Sequence, residues 1–512
     1  MSFFESLLVL LLAAILLLQV SRRLALPYPA MLAAAGVVLA MIPGTPSIGL
    51  VPEMALALFI APALVDAAFD FPIGDVRRLW RPLVALAVVA VLLTAGAVAW
   101  IGMTVAGLPL YAALALGAIV APPDAAAATA VLGSVQMPRR SVAVLKGESL
   151  LNDALALLLF GTAIAIQQHG GIDAGIGLRL AIAAPGGVLL GIVLAIAYRP
   201  VSRFVSGTLG GNLLEFVTCF STWILAQRLQ LSPVLCLVAF AMTVARKAGL
   251  TQPPRMRVHS FAVWESVVFL LNVLAFLLMG LQARTILGSM APDRLHEAAG
   301  FAGLVIACVI AVRLAWVLVF NRLSWRFPAF RGDLERPKLR QGVLVGWCGM
   351  RGLVTLATAF ALPADFPQRD LIVLTAFAVV LATLVLQGLT LVPLVRLLRL
   401  DREDGLDREL AAARADLARV ALATLEGKKG PAADHWRYGY ETALEAAETG
   451  STAKTDEKRK LGLTALRHQR KRLQTLRATQ KIGPDAYLTL QEELDFRELA
   501  LSTEAERHIE ET

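Results

Sequence analysis

Long apolar runs alternate with short polar gaps over the first 400 residues of the chain. A membrane-crossing helix needs about 20 mostly apolar residues, and thirteen runs come near that length. They lie near residues 3–20, 28–43, 51–67, 82–104, 109–134, 141–167, 178–198, 212–229, 231–248, 261–289, 299–320, 340–363 and 370–398. The pattern predicts an all-α polytopic membrane protein with about thirteen transmembrane helices.

The pattern changes after residue 400. A set of apolar residues recurs there at helical spacing, namely Leu406, Leu410, Ala413, Leu417 and Val420. A basic stretch follows at 454–481, and Gly483-Pro484 opens a further predicted helix. We therefore expect a transmembrane domain over residues 1–400 and a helical cytoplasmic tail over residues 401–512.

Composition supports this division. Charged residues make up 17% of the chain, against about 25% in a soluble domain, which excludes a soluble enzyme of ordinary composition. Residues 1–400 hold 29 basic and 17 acidic residues, and residues 401–512 hold 19 and 22. The basic residues of the first part lie in the gaps between apolar runs, so the chain lacks the basic patch of a nucleic-acid-binding protein. We expect the protein to contact membrane lipid and to bind no nucleic acid.

Loop charge orients the spans, because cytoplasmic loops are enriched in Lys and Arg. Alternate loops hold 19 basic residues on one side and 5 on the other. This places the amino terminus outside and the tail inside a plasma (inner) membrane. The first run has no basic region before it and is read as a retained span.

The four cysteines lie far apart inside apolar runs. We expect neither a disulfide nor a zinc site from them, and no cofactor.

Two apolar runs contain features that break helices. The fifth contains Ala121-Pro122-Pro123-Asp124, and the twelfth contains a glycine cluster around Arg351. Paired discontinuities in the two halves of a transporter indicate an ion site at mid-membrane. Spans 1–6 and 8–13 would form those halves as inverted repeats. The alternative for the glycine cluster is helix packing alone.

Acidic side chains inside apolar runs are costly and usually functional. Asp124, Glu148 and Asp153 lie deep within their runs, whereas Asp66 lies near the inner end of its run. Two basic residues, Arg313 and Arg351, also lie at membrane depth. Because a buried charge without a partner is unfavourable, we expect each arginine to face an acid. For Arg313 a fixed structural ion pair is favoured over contact with a transported ion.

Residues four apart share a helix face, so Ser149 lies beside Asp153 and Asn152 lies beside Glu148. Hard cations prefer oxygen ligands, which Asp153, Ser149 and the carbonyls freed near Pro122 can supply. Burial favours a protonated carboxyl and a bound cation favours the ionised one. A single carboxylate can therefore hold either occupant, which suffices for ion exchange without the covalent chemistry of an enzyme.

The segments 117–132 (GAIVAPPDAAAATAVL) and 147–153 (GESLLND) resemble the core of the monovalent cation:proton antiporters, in the sodium/proton exchanger branch. Further matching segments follow in the family's order: 58–66 (LFIAPALVD), 261–282 and 346–363 (GWCGMRGLVTLATAFALP). The resemblance implies a thirteen-span inverted-repeat fold with two broken crossing helices, a homodimer and alternating access.

The resemblance also implies roles for individual residues. Asp153 would carry the ion and the proton, Asn152 would support it, and Asp124 would lie where the broken helices cross. With Ser149 these residues form the candidate site for transported Na+ and H+. It further implies a structural salt bridge between Glu148 and Arg313, and a glycine-flanked arginine at Arg351.

The sequence departs from the family pattern at two places. Pro123-Asp124-Ala125 replaces the usual Thr-Asp-Pro, which removes a threonine ligand. In the third span Ala61-Pro62 and Asp66 replace the family's proline pair and the Glu that follows it, which leaves the role of Asp66 open.

The Asn152-Asp153 pair resembles the electroneutral branch and implies one proton exchanged per sodium. The expected function is antiport of Na+, or Li+, for protons in pH homeostasis. A K+/H+ antiporter and a tail-gated cation channel are the alternatives.

Overall fold

The computed structural model describes residues 3–24, 28–40, 52–124, 138–171, 174–205, 208–251, 254–289, 292–332, 334–399, 405–450 and 453–503. Within these ranges every regular element is a helix. The chain divides into two compact units, one from Met1 to Asp401 and one from Arg402 to Glu511.

The helices of the first unit, the membrane unit, are named here in chain order. They are α1 (Phe3–Leu24), α2 (Tyr28–Ala40), α3 (Pro52–Phe69), α4 (Ile73–Val84), α5 (Val91–Val105), α6 (Leu110–Val120), α7 (Arg139–His169), α8 (Ala174–Val205), α9 (Leu209–Arg228), α10 (Pro233–Thr251), α11 (Pro254–Ser289), α12 (Pro292–Arg326), α13 (Pro328–Arg331), α14 (Leu339–Trp347), α15 (Leu353–Phe360) and α16 (Arg369–Leu398). A π-helical segment, Ala85–Ala90, joins α4 to α5.

Each of the thirteen predicted runs contains helix of this unit within its described residues, interrupted in the fifth and twelfth runs, which confirms the all-α membrane fold. Six helical stretches are long and apolar enough to cross a membrane: Ile73–Val105, Arg139–His169, Gly177–Val205, Arg257–Leu278, Leu295–Arg326 and Arg369–Leu398. Four shorter apolar helices accompany them, at Leu11–Val20, Met54–Phe69, Leu110–Val120 and Pro233–Arg246.

Both predicted helix breaks are present. α6 ends at Val120, one residue before the proline pair, and α14 ends at Trp347, with five residues between it and the start of α15. Single prolines at Pro62 and Pro185 remain inside helices. The difference is physical, since two consecutive prolines remove two amide donors and push their preceding residues out of helical geometry.

Close helix packing depends on glycines at two contacts. Gly36 on α2 faces Gly280 on α11, and a Cβ on either would overlap the backbone of the other helix. Gly191 on α8 lies in the same way against the Cys236 carbonyl of α10. Small residues allow such close backbone approach in membranes, where dispersion contacts rather than water drive association.

The second unit contains the helices α17 (Gly405–Thr424), α18 (Pro431–Thr449), α19 (Ala453–Ala478) and α20 (Pro484–Leu501). α20 begins at the predicted Gly-Pro signal. Leu466, Leu473 and Leu494 form a small core between α19 and α20. Leu417 and Val420, from the predicted apolar stripe of α17, are exposed.

Candidate functional site

The two helix breaks contact each other through Asp124. Its backbone N–H donates to the Met350 carbonyl at 2.7 Å, and its carboxylate accepts a hydrogen bond from the Leu353 N–H at 3.4 Å. Leu353 is the first residue of α15. A negative charge is favourable at a helix amino terminus, where amide dipoles point outward. Asp124 therefore stabilises the start of α15 from across the crossing.

Arg351 supplies the opposite charge to the end of α6. Its guanidinium donates to the carbonyls of Val120 at 3.1 Å and Ala121 at 3.3 Å, and also to that of Gly349. The side chain is fully buried. A helix that ends at membrane depth leaves carbonyls without amide partners, and a cation there satisfies them.

Arg351 forms no direct ion pair among the described residues, although the charge of Glu148, which is paired with Arg313, lies near enough to interact with it. The hydrogen bonds of its guanidinium within the described ranges all end on backbone carbonyls. The broken end of α6 carries enough partial negative charge to serve as the partner of the guanidinium.

Glycines make the crossing close. A Cβ on Gly352 would overlap the Asp124 carboxylate, and a Cβ on Gly349 would overlap the Arg313 side chain. The glycine cluster that could have meant only helix packing thus admits two charged side chains.

Asn152 attaches α7 to the first break. Its side-chain amide donates to the Pro123 carbonyl at 2.7 Å, rather than to Glu148, its neighbour on the helix. Its amide oxygen is buried and has no protein partner among the described residues. Because Pro123 lacks an N–H and cannot continue the helix, its neighbourhood leaves carbonyls open to such side chains.

Asp153 follows Asn152 and is 6% exposed. In the described part of the chain no group donates a hydrogen bond to its carboxylate, and Asp124 lies close enough for the two charges to interact. Ser149 lies half-buried one turn earlier on the same helix. Two carboxylates that repel each other in a buried place favour a cation or a proton between them. Residues 125–137 lie outside the described residues, and with them the chain that continues from Asp124.

Glu148 and Arg313 form a buried two-point ion pair. The Nη1 and Nη2 atoms of Arg313 lie 2.5 Å and 3.1 Å from the two carboxylate oxygens of Glu148. Nη2 also donates to the Val345 carbonyl of α14 at 3.2 Å. This geometry connects α7, α12 and α14 next to the second break. Removing one partner of such a pair leaves an uncompensated charge.

Asp66 lies elsewhere, in a cavity of about 290 Å³ lined by α3 and α8–α11. The cavity also contains Glu215, which accepts hydrogen bonds from Ser260 at 2.6 Å and Trp264 at 2.8 Å. The lining includes none of the residues at the crossing.

Two polar residues of α16, Thr383 and Gln387, were not singled out from the sequence as candidate site residues. Thr383 accepts a hydrogen bond from the Arg351 backbone N–H at 3.1 Å. Gln387, one turn further, is fully buried, and neither of its amide atoms has a protein partner among the described residues. The sequence signal that could have identified them is their spacing of four residues inside an apolar run, which places both side chains on one face of the helix.

The chain is similar to known proteins over the part that contains the crossing. A family model described as "Sodium/hydrogen exchanger, transmembrane" matches residues 7–397. An uncharacterized Na(+)/H(+) exchanger of Mycobacterium tuberculosis is 30% identical over 92% of this chain and 91% of its own length. A sodium, potassium, lithium and rubidium/H(+) antiporter of Bacillus pumilus is 30% identical over 78% of this chain and 62% of its own length.

The solved structure of a sodium proton antiporter, MjNhaP1 from Methanocaldococcus jannaschii, shares the fold. It matches with a TM-score of 0.60 at 17% identity and covers 78% of this chain and 100% of its own.

Proposed function

We propose that this chain, which belongs to the sodium/hydrogen exchanger family, exchanges Na+ for H+ across a membrane by alternating access. It is a secondary transporter and not an enzyme. The observation that carries the proposal is Asp153, a buried carboxylate that accepts no hydrogen bond from the described residues and interacts with Asp124. Such a group is stabilised by binding a proton or a cation.

The surrounding residues would hold that carboxylate in position. Asn152 fixes α7 to the first break, and its free amide oxygen is a suitable ligand for a hard cation. Ser149 and Asp124 are the other proposed oxygen ligands. Glu148 and Arg313 stay paired and do not take part in exchange. The broken ends at the crossing are neutralised by Asp124 and Arg351, so the crossing can move without exposing an uncompensated helix end.

Exchange is proposed to be electroneutral, with one proton for one sodium, because one carboxylate carries one charge. A K+/H+ antiporter is the second candidate, since the name of the Bacillus pumilus relative includes potassium beside sodium, lithium and rubidium. A channel gated by the tail would not need a carboxylate with alternating occupants. A pH-sensitive dye in vesicles, tested with each cation and with an imposed membrane potential, separates these three functions.

The protein is proposed to act as a homodimer in the plasma membrane, in pH homeostasis, with its amino terminus outside and residues 401–512 in the cytoplasm. The excess of basic residues in alternate loops supports this orientation. Asp66, which lies with Glu215 in the separate cavity, is given no part in the exchange.

Asp153→Asn tests the assignment, with Glu297→Gln, an exposed acid at the start of α12, as the matched control. In proteoliposomes we expect Asp153→Asn to abolish sodium-dependent proton flux and Glu297→Gln to keep it. Both variants should unfold at the temperature of the wild type or above it. Sodium-dependent proton flux that survives Asp153→Asn would remove Asp153 from the mechanism.

A further inference from the structure

Four arginines meet at one end of the membrane unit, away from the exchange site. Arg78 and Arg81 lie on α4, Arg140 lies in the first turn of α7, and Arg331 ends α13. The Arg81 guanidinium packs so closely on Gly332 that a Cβ there would overlap it. Arg78 and Arg331 lie close enough to Arg140 for the like charges to repel. We call these four residues the arginine cluster.

Little within the protein compensates this charge. Arg140 donates to the backbone carbonyl of Glu335 at 2.8 Å, and the Glu335 carboxylate is the attractive charge near it. In the described part of the chain, Arg78, Arg81 and Arg331 have neither a hydrogen-bond acceptor nor an ion-pair partner. Arg81 and Arg331 are nevertheless half-buried. The Arg81 guanidinium lies over the Trp80 ring, 5.4 Å from its centroid, a contact that does not neutralise its charge. Guanidinium groups that converge with so little anionic compensation create a strong local field that favours an anion.

The position of the cluster indicates which anion can reach it. The helices that carry the cluster also carry exposed aromatic side chains, with Trp80 on α4 and Phe330 on α13, and Phe327 and Trp325 precede α13 in the chain. Trp325 also receives the guanidinium groups of Arg322 and Arg336 on its ring. Tryptophan is enriched where the membrane meets water. The cluster therefore lies at the depth of lipid headgroups.

We infer that the arginine cluster binds the phosphate of an anionic phospholipid headgroup. Guanidinium forks match phosphate oxygens in pairs, and an anion between α4, α7 and α13 removes the repulsion among their arginines. α7 carries Glu148 and Asp153, so the lipid would fix one end of the helix that holds the exchange site. The inference does not depend on which cation is exchanged.

The test compares the full-length protein in neutral phosphatidylcholine with protein given phosphatidylglycerol, and measures bound lipid by native mass spectrometry. Arg78→Gln/Arg331→Gln is the test variant. Arg199→Gln/Arg203→Gln is the matched control, because it removes two arginines from the end of α8. Each arginine near an anionic lipid contributes on the order of fivefold in binding. We expect phosphatidylglycerol affinity to fall about 25-fold in the test variant and to stay at the wild-type value in the control.

Three results would overturn the inference. The first is wild-type lipid affinity in the test variant, and the second is an equal loss in test and control variants, which would mean diffuse charge. The third is full occupation by inorganic phosphate in neutral lipid, which would make the occupant a soluble anion. If the test variant does not fold, Arg78→Lys/Arg331→Lys replaces it. That variant keeps the charge but loses the fork, and it should still bind phosphatidylglycerol more weakly than the control.

Discussion

Ion pairs between arginine and carboxylate side chains are buried in the membrane unit and partly exposed to water in the second unit. In the membrane unit Glu148 and Arg313 are 1% and 2% exposed. In the second unit Arg470 bonds to Asp495 and Glu498, and these three side chains are 33%, 46% and 41% exposed. These hydrogen bonds raise the pKa of Arg470, but water already solvates its charge. Burial, rather than the number of hydrogen bonds, decides how much the protein depends on an ion pair.

The largest effect should come from breaking the buried pair. Glu148→Gln leaves the Arg313 charge without a counter-ion, and such changes cost about 3–5 kcal/mol of stability. Thermal unfolding of the purified protein in detergent measures the loss. Exchanging the two residues, as Glu148→Arg with Arg313→Glu, should recover part of the stability. Wild-type stability in Glu148→Gln alone would show that the pair is not needed.

Gly352→Ala should have the next largest effect, because its Cβ would overlap the Asp124 carboxylate. We expect a loss of about 1–3 kcal/mol, typical of overpacking, together with slower exchange in proteoliposomes. Gly300→Ala is the control, since a Cβ on Gly300 meets open space. It should keep the exchange rate of the wild type and should not lower the stability, because alanine is favoured over glycine inside a helix. Equal behaviour of the two variants would mean that Asp124 does not need its close approach to α15.

A smaller effect is expected where Thr383 accepts the Arg351 amide. Thr383→Val leaves that buried N–H without an acceptor, at a cost of about 1–3 kcal/mol. The buried Thr375 hydroxyl has no partner among the described residues, so Thr375→Val should be neutral or stabilising. Unfolding curves of the two variants should differ in this direction. A greater loss in Thr375→Val would contradict the assigned hydrogen bond.

The smallest effect should come from the exposed cluster of the second unit. Arg470→Gln should cost at most about 1 kcal/mol, and high salt should reduce the difference from wild type. Salt-dependent unfolding of the full chain, followed by a probe in α19, checks this. A loss as large as that of Glu148→Gln would mean that exposure does not separate the two ion-pair clusters.

Several features of the fold follow from the sequence. Apolar run length places the helices, and two adjacent prolines explain the break after Val120, because these causes act locally. The hydrogen-bond partners of Arg351 could not be predicted from such local features. Two of its partners lie at Val120 and Ala121, 231 and 230 residues away in the chain, and a sequence does not show which backbone carbonyls lack an amide donor. Thr383 was missed for a related reason, since a threonine in an apolar run gives no indication of what it contacts.

The central claim is that Na+ and H+ compete for the single carboxylate of Asp153. The most direct test measures the Na+ concentration for half-maximal exchange in proteoliposomes as a function of pH, with equal pH on both sides. If one proton competes with one sodium ion, this concentration rises about tenfold for each unit of falling pH once the site is mainly protonated. A half-maximal Na+ concentration that stays constant with pH would show that both ions bind at the same time, and would contradict the account.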